Sequence, residues 1–134
     1  MNFKVDTKEK FVSISVQTLK IDDNVADELV AFCTEQQLKE EVKNIILNVE
    51  MVETISETAA EKIAALQQKA YENNNSFVIC CMQETVESVF EQMEILELMN
   101  ITPTESEAWD IVQMEEIERE LLDGDDFEFE KEVK

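Results

Sequence analysis

Alternating apolar and polar positions open the chain. Val12, Ile14 and Val16 alternate with polar residues, and a shorter apolar pair, Phe3 and Val5, precedes them. Alternation with a period of two is typical of a strand that buries one face, and the polar stretch 6–10 between the segments favours a turn. The pattern predicts an N-terminal β-hairpin.

Compact apolar runs and helical repeats follow the predicted hairpin. The runs at 44–49 and 77–81 are typical of strands buried on both faces, and 98–101 is a shorter strand candidate. Apolar residues at helical spacing predict helices from about residue 24 to the mid-thirties, from about 56 to the asparagines at 73–75, and over 85–93. Thr104 and Glu107 form a capping-box pattern that predicts a fourth helix. Its expected apolar face is Ala108, Ile111, Met114, Ile117 and Leu121.

The predicted order is β-β-α-β-α-β-α-β-α. Strand–helix–strand repeats require a largely parallel sheet with right-handed crossovers. The expected fold is therefore a single α/β domain over residues 1–122, with a mixed, mostly parallel sheet of about five strands and about four helices packed on it. Residues 123–134 are predicted to be an acidic, mobile tail.

Charge narrows the range of partners. The 134 residues include 32 acidic and 11 basic side chains, which gives a formal net charge of −21. Such a surface repels nucleic acid phosphates and anionic lipids, so we expect no nucleic-acid partner. Apolar runs of membrane-spanning length and a signal-peptide pattern are missing from this sequence, which predicts a cytoplasmic protein without direct membrane insertion.

The sequence contains few of the residues and motifs that usually carry catalysis or bind cofactors. There is no histidine and one glycine, so the commonest general base and the glycine-rich phosphate loops are absent. Cys80 and Cys81 are adjacent, and neighbours on a strand point to opposite faces, so we do not expect them to act together as ligands. Asp22 and Asp23 lack the spacing of a calcium loop. The sequence therefore predicts no enzyme activity, no cofactor and no metal site.

The segment around Ser56 is the best candidate for a functional site. A buried strand, a short connector and the start of a helix follow one another there, and functional groups of parallel α/β folds gather outside the carboxyl ends of strands. A phosphate on Thr58 would meet free backbone amides of the first helical turn. The simpler interpretation is that Ser56 is an ordinary N-cap and Thr58 a solvent-facing residue.

Three segments carry a family resemblance. They are Ile21-Asp22 with Ala26-Asp-Glu-Leu29, the turn Ser56-Glu57-Thr58-Ala59, and Pro103-Thr104 leading to Ala108. Together with the element order, they make residues from about Phe3 to Gln113 resemble the STAS domain, the fold of bacterial anti-sigma factor antagonists. The resemblance implies a non-catalytic regulatory domain whose partner is a kinase-like anti-sigma factor.

In that family, the second Ser or Thr of the signature turn accepts a phosphoryl group, and phosphorylation releases the partner. The matching residue here is Thr58, with Ser56 as the less favoured candidate. The resemblance places the partner-binding surface at six residues: Asp22, Asp23, Ser56, Glu57, Thr58 and Ala59. The turn departs from the family pattern, since Ser56 replaces an Asp, Glu57 a Ser, and Ala59 a Gly that lets a partner backbone approach closely.

Two further interpretations stay open at this stage. The altered turn favours a structural STAS-like subunit of a larger assembly, such as a lipid-transport ATPase, that works without phosphorylation. A nucleotide-binding module or an enzyme is less favoured because histidine and a glycine-rich loop are missing. The sequence leaves the partner's identity and the oligomeric state open.

Overall fold

A computed structural model describes residues 3–39 and 44–123 of the chain. The strands are β1 (Phe3–Thr7), β2 (Val12–Val16), β3 (Lys20–Ile21), β4 (Ile45–Asn48), β5 (Thr54–Ile55), β6 (Phe77–Cys80) and β7 (Ile101–Thr102). The helices are α1 (Asp23–Lys39), α2 (Glu57–Glu72), α3 (Glu84–Gln92) and α4 (Glu105–Asp123). The predicted tail, apart from its first residue, lies outside the described residues.

Five strands form the main sheet in the order β1-β2-β4-β6-β7. β1 pairs with β2 in antiparallel register, and the other three pairings are parallel. The predicted mixed, mostly parallel sheet and its four helices are therefore confirmed. β3 and β5 form a separate two-stranded parallel sheet that the sequence pattern did not predict.

Both faces of the main sheet are buried. Ile14, Leu47 and Phe77 lie in the larger core, which also takes apolar side chains from α1, α2 and α3. On the opposite face, Ile46 and Val78 belong to a smaller core to which α4 contributes. Alternate residues of each parallel strand thus meet different helices, which explains why β4 and β6 are continuously apolar.

The predicted end of α2 is confirmed in its geometry. Asn74 follows the helix with a φ of 64°, in the left-handed region, and its N–H donates to the carbonyl of Tyr71 over 3.0 Å. Asparagine tolerates that region better than most residues, because its short polar side chain can bond locally. The asparagine run thus closes α2 without a glycine.

The strand expected at 98–101 was placed too early. Leu96–Leu98 form a 3-10 turn, and the strand is Ile101–Thr102. Gln67 of α2 accounts for the difference, because its side-chain oxygen accepts from the N–H of Asn100 over 3.0 Å. Its amide also donates to the carbonyls of Phe77 and Asn100. A buried side chain therefore fixes the backbone just before β7.

The apolar stripe predicted on α4 faces the core only as far as Ile111. Ala108 and Val112 are buried, whereas the side chains of Met114, Ile117 and Leu121 are 59%, 55% and 47% exposed. The second half of α4 instead turns polar residues towards the protein.

A hydrogen-bond network at the amino ends of the parallel strands explains this reversal. Arg119 Nη2 donates to Ser76 Oγ over 2.9 Å and to Asn44 Oδ1 over 3.2 Å. Asn44 and Ser76 immediately precede β4 and β6, and both are buried. Asn44 Oδ1 also accepts from the N–H of Ser76 over 2.7 Å. Buried polar groups need partners, so α4 meets them with Arg119 rather than with Ile117.

Removal of the Asn44 amide is expected to destabilise the protein. In Asn44→Ala the buried N–H of Ser76 loses its acceptor, and we expect the free energy of unfolding to fall by about 2 kcal/mol. Urea unfolding followed by circular dichroism measures the change. Asn24→Ala, at an exposed position in α1, is the matched control and should change stability by less than about 0.5 kcal/mol. Equal effects of the two substitutions would contradict a structural role for the network.

Candidate functional site

The short parallel pair of β3 and β5 brings two helix starts together. Lys20 pairs with Thr54, and Ile21 pairs with Ile55. Because α1 begins at Asp23 and α2 at Glu57, each strand is separated from its helix by a single residue. Because the paired strands end level with each other and each helix starts at the same distance from its strand, the first turns of α1 and α2 lie side by side, beyond the carboxyl ends of the strands.

Asp22 caps α1. Its Oδ1 accepts the N–H of Val25 over 2.9 Å, which satisfies one of the four amides that have no helical partner. Asp23 follows as the first helical residue and is exposed. A carboxylate in the first turn also interacts favourably with the positive end of the helix dipole.

Ser56 caps α2 and links it to α1. Its Oγ accepts the N–H of Ala59 over 3.1 Å and donates to Asp23 Oδ1 over 2.7 Å. Its own N–H donates to the carbonyl of Ile21 over 3.0 Å, which continues the pairing of β3 with β5. The Ser56 hydroxyl therefore has both a structural donor and a structural acceptor as partners.

Thr58 is exposed in the first turn of α2, next to the exposed carboxylate of Glu57. Among the described residues, none forms a hydrogen bond with its hydroxyl. Ala59 differs from Glu57 and Thr58, because its side chain is 0% exposed and lies in the larger core. The structure thus brings Asp22, Asp23, Ser56, Glu57 and Thr58 together on one surface and places the methyl group of Ala59 beneath it.

An ion pair joins α1 and α2 one turn further along. Lys62 Nζ lies 2.6 Å from Asp27 Oδ1. The hydrogen bond to Asp27 raises the pKa of Lys62. The relative position of the two helix starts is therefore fixed by the strand pair, by the Ser56–Asp23 hydrogen bond and by this ion pair.

The start of α3 lies at the same edge, and the sequence interpretation did not include it. Gln83 Nε2 donates to the carbonyl of Glu50 over 2.8 Å, and Thr85 Oγ1 donates to that of Glu53 over 2.6 Å. Both bonds hold α3 against the loop between β4 and β5. The signal that could have revealed it is positional: α3 follows the parallel strand β6, so it must begin at the edge where α2 begins.

Two apolar side chains stand among these polar groups. Leu19 is 54% exposed and Met51 43% exposed, and the N–H of Glu53 donates to the carbonyl of Leu19 over 2.7 Å. Exposed apolar anchors rimmed by polar residues are typical of protein-binding surfaces. We define the docking surface as Leu19, Asp22, Asp23, Met51, Ser56, Glu57 and Thr58.

The protein behind the docking surface is closed. The void enclosed there by Ile21, Ile55 and Phe90, with other apolar residues, measures about 10 Å³, which is at most the room for one water molecule. A groove of about 870 Å³ lies elsewhere, against α2 and residues 95–100. The geometry at the docking surface thus favours contact with another macromolecule over a small-molecule site.

That groove carries polar groups that already bond to one another. Tyr71 Oη donates to Glu115 Oε1 over 2.9 Å and accepts from Asn100 Nδ2 over 2.6 Å. Burial raises the pKa of Tyr71 to about 12, so its hydroxyl stays protonated.

Within residues 3–39 and 44–123, no cluster of three or more acidic, cysteine or histidine side chains could hold a metal ion. Across the same ranges, the helices are too short or too polar to cross a membrane.

Loss of the Ser56 hydroxyl is expected to weaken the start of α2. Ser56→Ala removes the N-cap and the bond to Asp23, and we expect the free energy of unfolding to fall by about 1 kcal/mol. Ser88→Ala is the matched control, since that exposed hydroxyl donates only to a carbonyl of its own helix. Urea unfolding of both variants makes the comparison. An unchanged stability in Ser56→Ala would show that the cap contributes nothing.

Known proteins share both the sequence pattern and the fold. The sequence model of the STAS domain matches residues 2–108 of this chain. TM1081 of Thermotoga maritima superimposes with a TM-score of 0.71 at 20% identity, covering 83% of this chain and 94% of its own. The anti-sigma-factor antagonist (STAS) domain protein of Planctomyces limnophilus gives 0.71 at 14% identity, with 83% and 97% covered.

The anti-sigma factor antagonist SpoIIAA of Bacillus has the same fold in two chemical states. Its unphosphorylated form superimposes with a TM-score of 0.67 at 19% identity, covering 83% of this chain and 96% of its own. Its phosphorylated form gives 0.61 at 18% identity, with 82% and 98% covered. At identities below 25%, these superpositions show a shared fold, and they do not identify the partner of this chain.

Proposed function

This chain belongs to the STAS domain family, and on that premise we propose that it is a non-catalytic regulatory domain that binds a kinase-like anti-sigma factor through the docking surface. The observation that carries the proposal is the alignment of the α1 and α2 starts by the β3–β5 pair. It gathers five of the six residues that the family resemblance implicates, and the void that described apolar residues enclose behind them measures about 10 Å³.

Exposure favours Thr58 over Ser56 as the phosphoryl acceptor. The Ser56 hydroxyl is held by Asp23 on one side and the N–H of Ala59 on the other, so a kinase could reach it only by breaking both bonds. Thr58 is exposed, and its hydroxyl forms no hydrogen bond with the residues that the structure describes. A phosphate on it would lie beside first-turn amides, where the positive end of the helix dipole favours an anion.

Charge defines the kind of surface that a partner must offer. Asp23, Glu50, Glu53 and Glu57 are exposed at or beside the docking surface. A complementary partner carries basic side chains at its rim and an apolar depression for Leu19 and Met51. Association should therefore slow as the ionic strength rises.

The same acidic groups support one alternative. Glu57 precedes Thr58, and its carboxylate stands where a phosphate would add negative charge. A surface that is already charged suits a structural subunit of a larger assembly that needs no phosphorylation, such as a lipid-transport ATPase. The two functions differ in whether Thr58 changes during the interaction.

The deciding experiment combines the purified protein with a candidate kinase-like anti-sigma factor and ATP with Mg²⁺. With ADP present, we expect the two proteins to form a complex. With ATP present, we expect mass spectrometry to detect a phosphate on Thr58. The Thr58→Val variant should bind without being modified. If the original chain and Thr58→Val both bind the partner and neither is phosphorylated, the structural subunit is favoured. If the docking surface binds no such partner, the proposal is refuted.

A further inference from the structure

The adjacent cysteines at the end of β6 have an unusual backbone conformation. Cys81 has a φ of 64°, in the left-handed region that residues with a Cβ rarely occupy. In a continuing strand its side chain would point away from that of Cys80. The left-handed residue ends this alternation, and Cys81 packs against the small core on the α4 side, which contains Cys80. The sequence expectation of opposite faces is therefore wrong.

Both thiols border the same small core. Burial raises the pKa of Cys80, and the neighbouring Cys81 thiol acts in the same direction. Cys80 is completely buried, whereas Cys81 is partly exposed. The pair thus combines one thiol that a small oxidant can reach with a second, buried thiol that is adjacent in sequence and belongs to the same small core. Cys33 is buried in the other core, on the opposite face of the sheet.

We propose that Cys80 and Cys81 form a redox modification site that closes a vicinal disulfide when the protein meets a hydroperoxide. The thiolate of Cys81 attacks one peroxide oxygen, which gives a sulfenic acid on Cys81 and hydroxide. The sulfur of Cys80 then displaces the sulfenic oxygen as water, and its proton leaves with that water. The two thiols lose two electrons and two protons in total, and hydrogen peroxide is reduced to two molecules of water.

Ring closure must alter the edge of the docking surface. The N–H of Cys81 donates to the carbonyl of Thr102, and the N–H of Val49 donates to the carbonyl of Cys80, each over 3.2 Å. Gln83, which holds the loop at Glu50, follows two residues later. An eight-membered disulfide ring constrains the backbone at this junction, so oxidation shifts the start of α3. This effect on docking rests on the proposed function, whereas formation of the disulfide does not.

The full chain, treated with hydrogen peroxide and then alkylated and digested with trypsin, tests the site. Cleavage after Lys69 and Arg119 leaves Cys80 and Cys81 in one peptide without Cys33. We expect that peptide to lose two hydrogens, a mass decrease of about 2 Da, and to regain them with a thiol reductant. Cys33 should remain free to be alkylated.

Variants identify the roles of the two thiols. In Cys80→Ser, the peroxide should leave oxygen adducts on Cys81 instead of a disulfide, and Cys81→Ser should greatly slow oxidation of the peptide. Cys33→Ala should oxidise like the original chain. Wild-type protein that gives sulfinic acid at Cys81, a disulfide to Cys33 or a disulfide between chains would overturn the proposal. Because the mass measurement needs no partner, a disulfide that forms without changing partner affinity would count against the effect on docking alone.

Discussion

Thr58→Glu is expected to lower affinity for the kinase-like partner by at least about 100-fold, close to 3 kcal/mol of binding free energy. The substitution adds a carboxylate to a first turn that already exposes Asp23 and Glu57. A partner surface that accommodates the small hydroxyl must then desolvate a third negative charge without gaining a counter-ion. Isothermal calorimetry or surface plasmon resonance with the purified partner measures the loss.

A control must separate the effect of an added negative charge anywhere on the protein from the effect of a charge at position 58. Thr34→Glu is the matched control, because Thr34 is also an exposed helical threonine but lies three turns along α1 from Asp23. It should change affinity by less than about threefold, which corresponds to about 0.7 kcal/mol. Thr58→Val should bind nearly as well as the original chain. Similar losses in the two glutamate variants would mean that net charge, and not the docking surface, controls binding.

Alkaline conditions should destabilise the protein through Cys33. This thiol is fully buried in α1, and burial raises its pKa from 9.0 to about 12. The folded state therefore holds the proton more tightly than the unfolded state. The corresponding stability is fully present below pH 9 and is lost as the pH rises towards 12. At about 1.4 kcal/mol per pKa unit, the loss by about pH 10.5 is on the order of 2 kcal/mol.

Urea unfolding between pH 8 and pH 10.5 tests this dependence. Cys33→Ala should begin less stable, because it leaves a cavity, and should then lose less stability as the pH rises. Tyr71→Phe is a useful comparison, since the raised pKa of Tyr71, about 12 against 10.0, acts in the same direction but starts at higher pH. If Cys33→Ala and the original chain lose stability in parallel, the buried thiol is not responsible.

Long periodic segments were predictable from the sequence, and very short ones were not. The apolar runs that became β4 and β6 were visible because strands buried on both faces leave a continuous signal. β3 and β5 have two residues each, too few for any period to be recognised. Their pairing is set by the hairpin and helices around them, which only the folded chain brings together.

The outer face of α4 shows a different limit. Met114, Ile117 and Leu121 repeat at helical spacing, which correctly indicates a helix but does not say which side meets the sheet. The deciding groups, Asn44 and Ser76, lie at strand starts far away in the sequence. Where a sheet presents unpaired polar groups, a helix satisfies them first and can expose an apolar stripe as a result.

The candidate site was predicted in part. The family resemblance placed Asp22 and Ser56 on one surface, and the β3–β5 register supplies the physical reason. The resemblance also placed Ala59 on that surface, whereas its side chain is buried in the larger core. The packing of Cys81 against the core that contains Cys80 was missed because a left-handed residue in a non-glycine position leaves no recognisable sequence signal.

The two-residue ladder between β3 and β5 also has a mechanical meaning. It is separate from the five-stranded sheet, so the starts of α1 and α2 are linked to each other by their own strand pair and not through the main sheet. A partner that pulls on one helix start must move the other through the Ser56–Asp23 bond. A load that a partner places on one helix start is therefore shared by both.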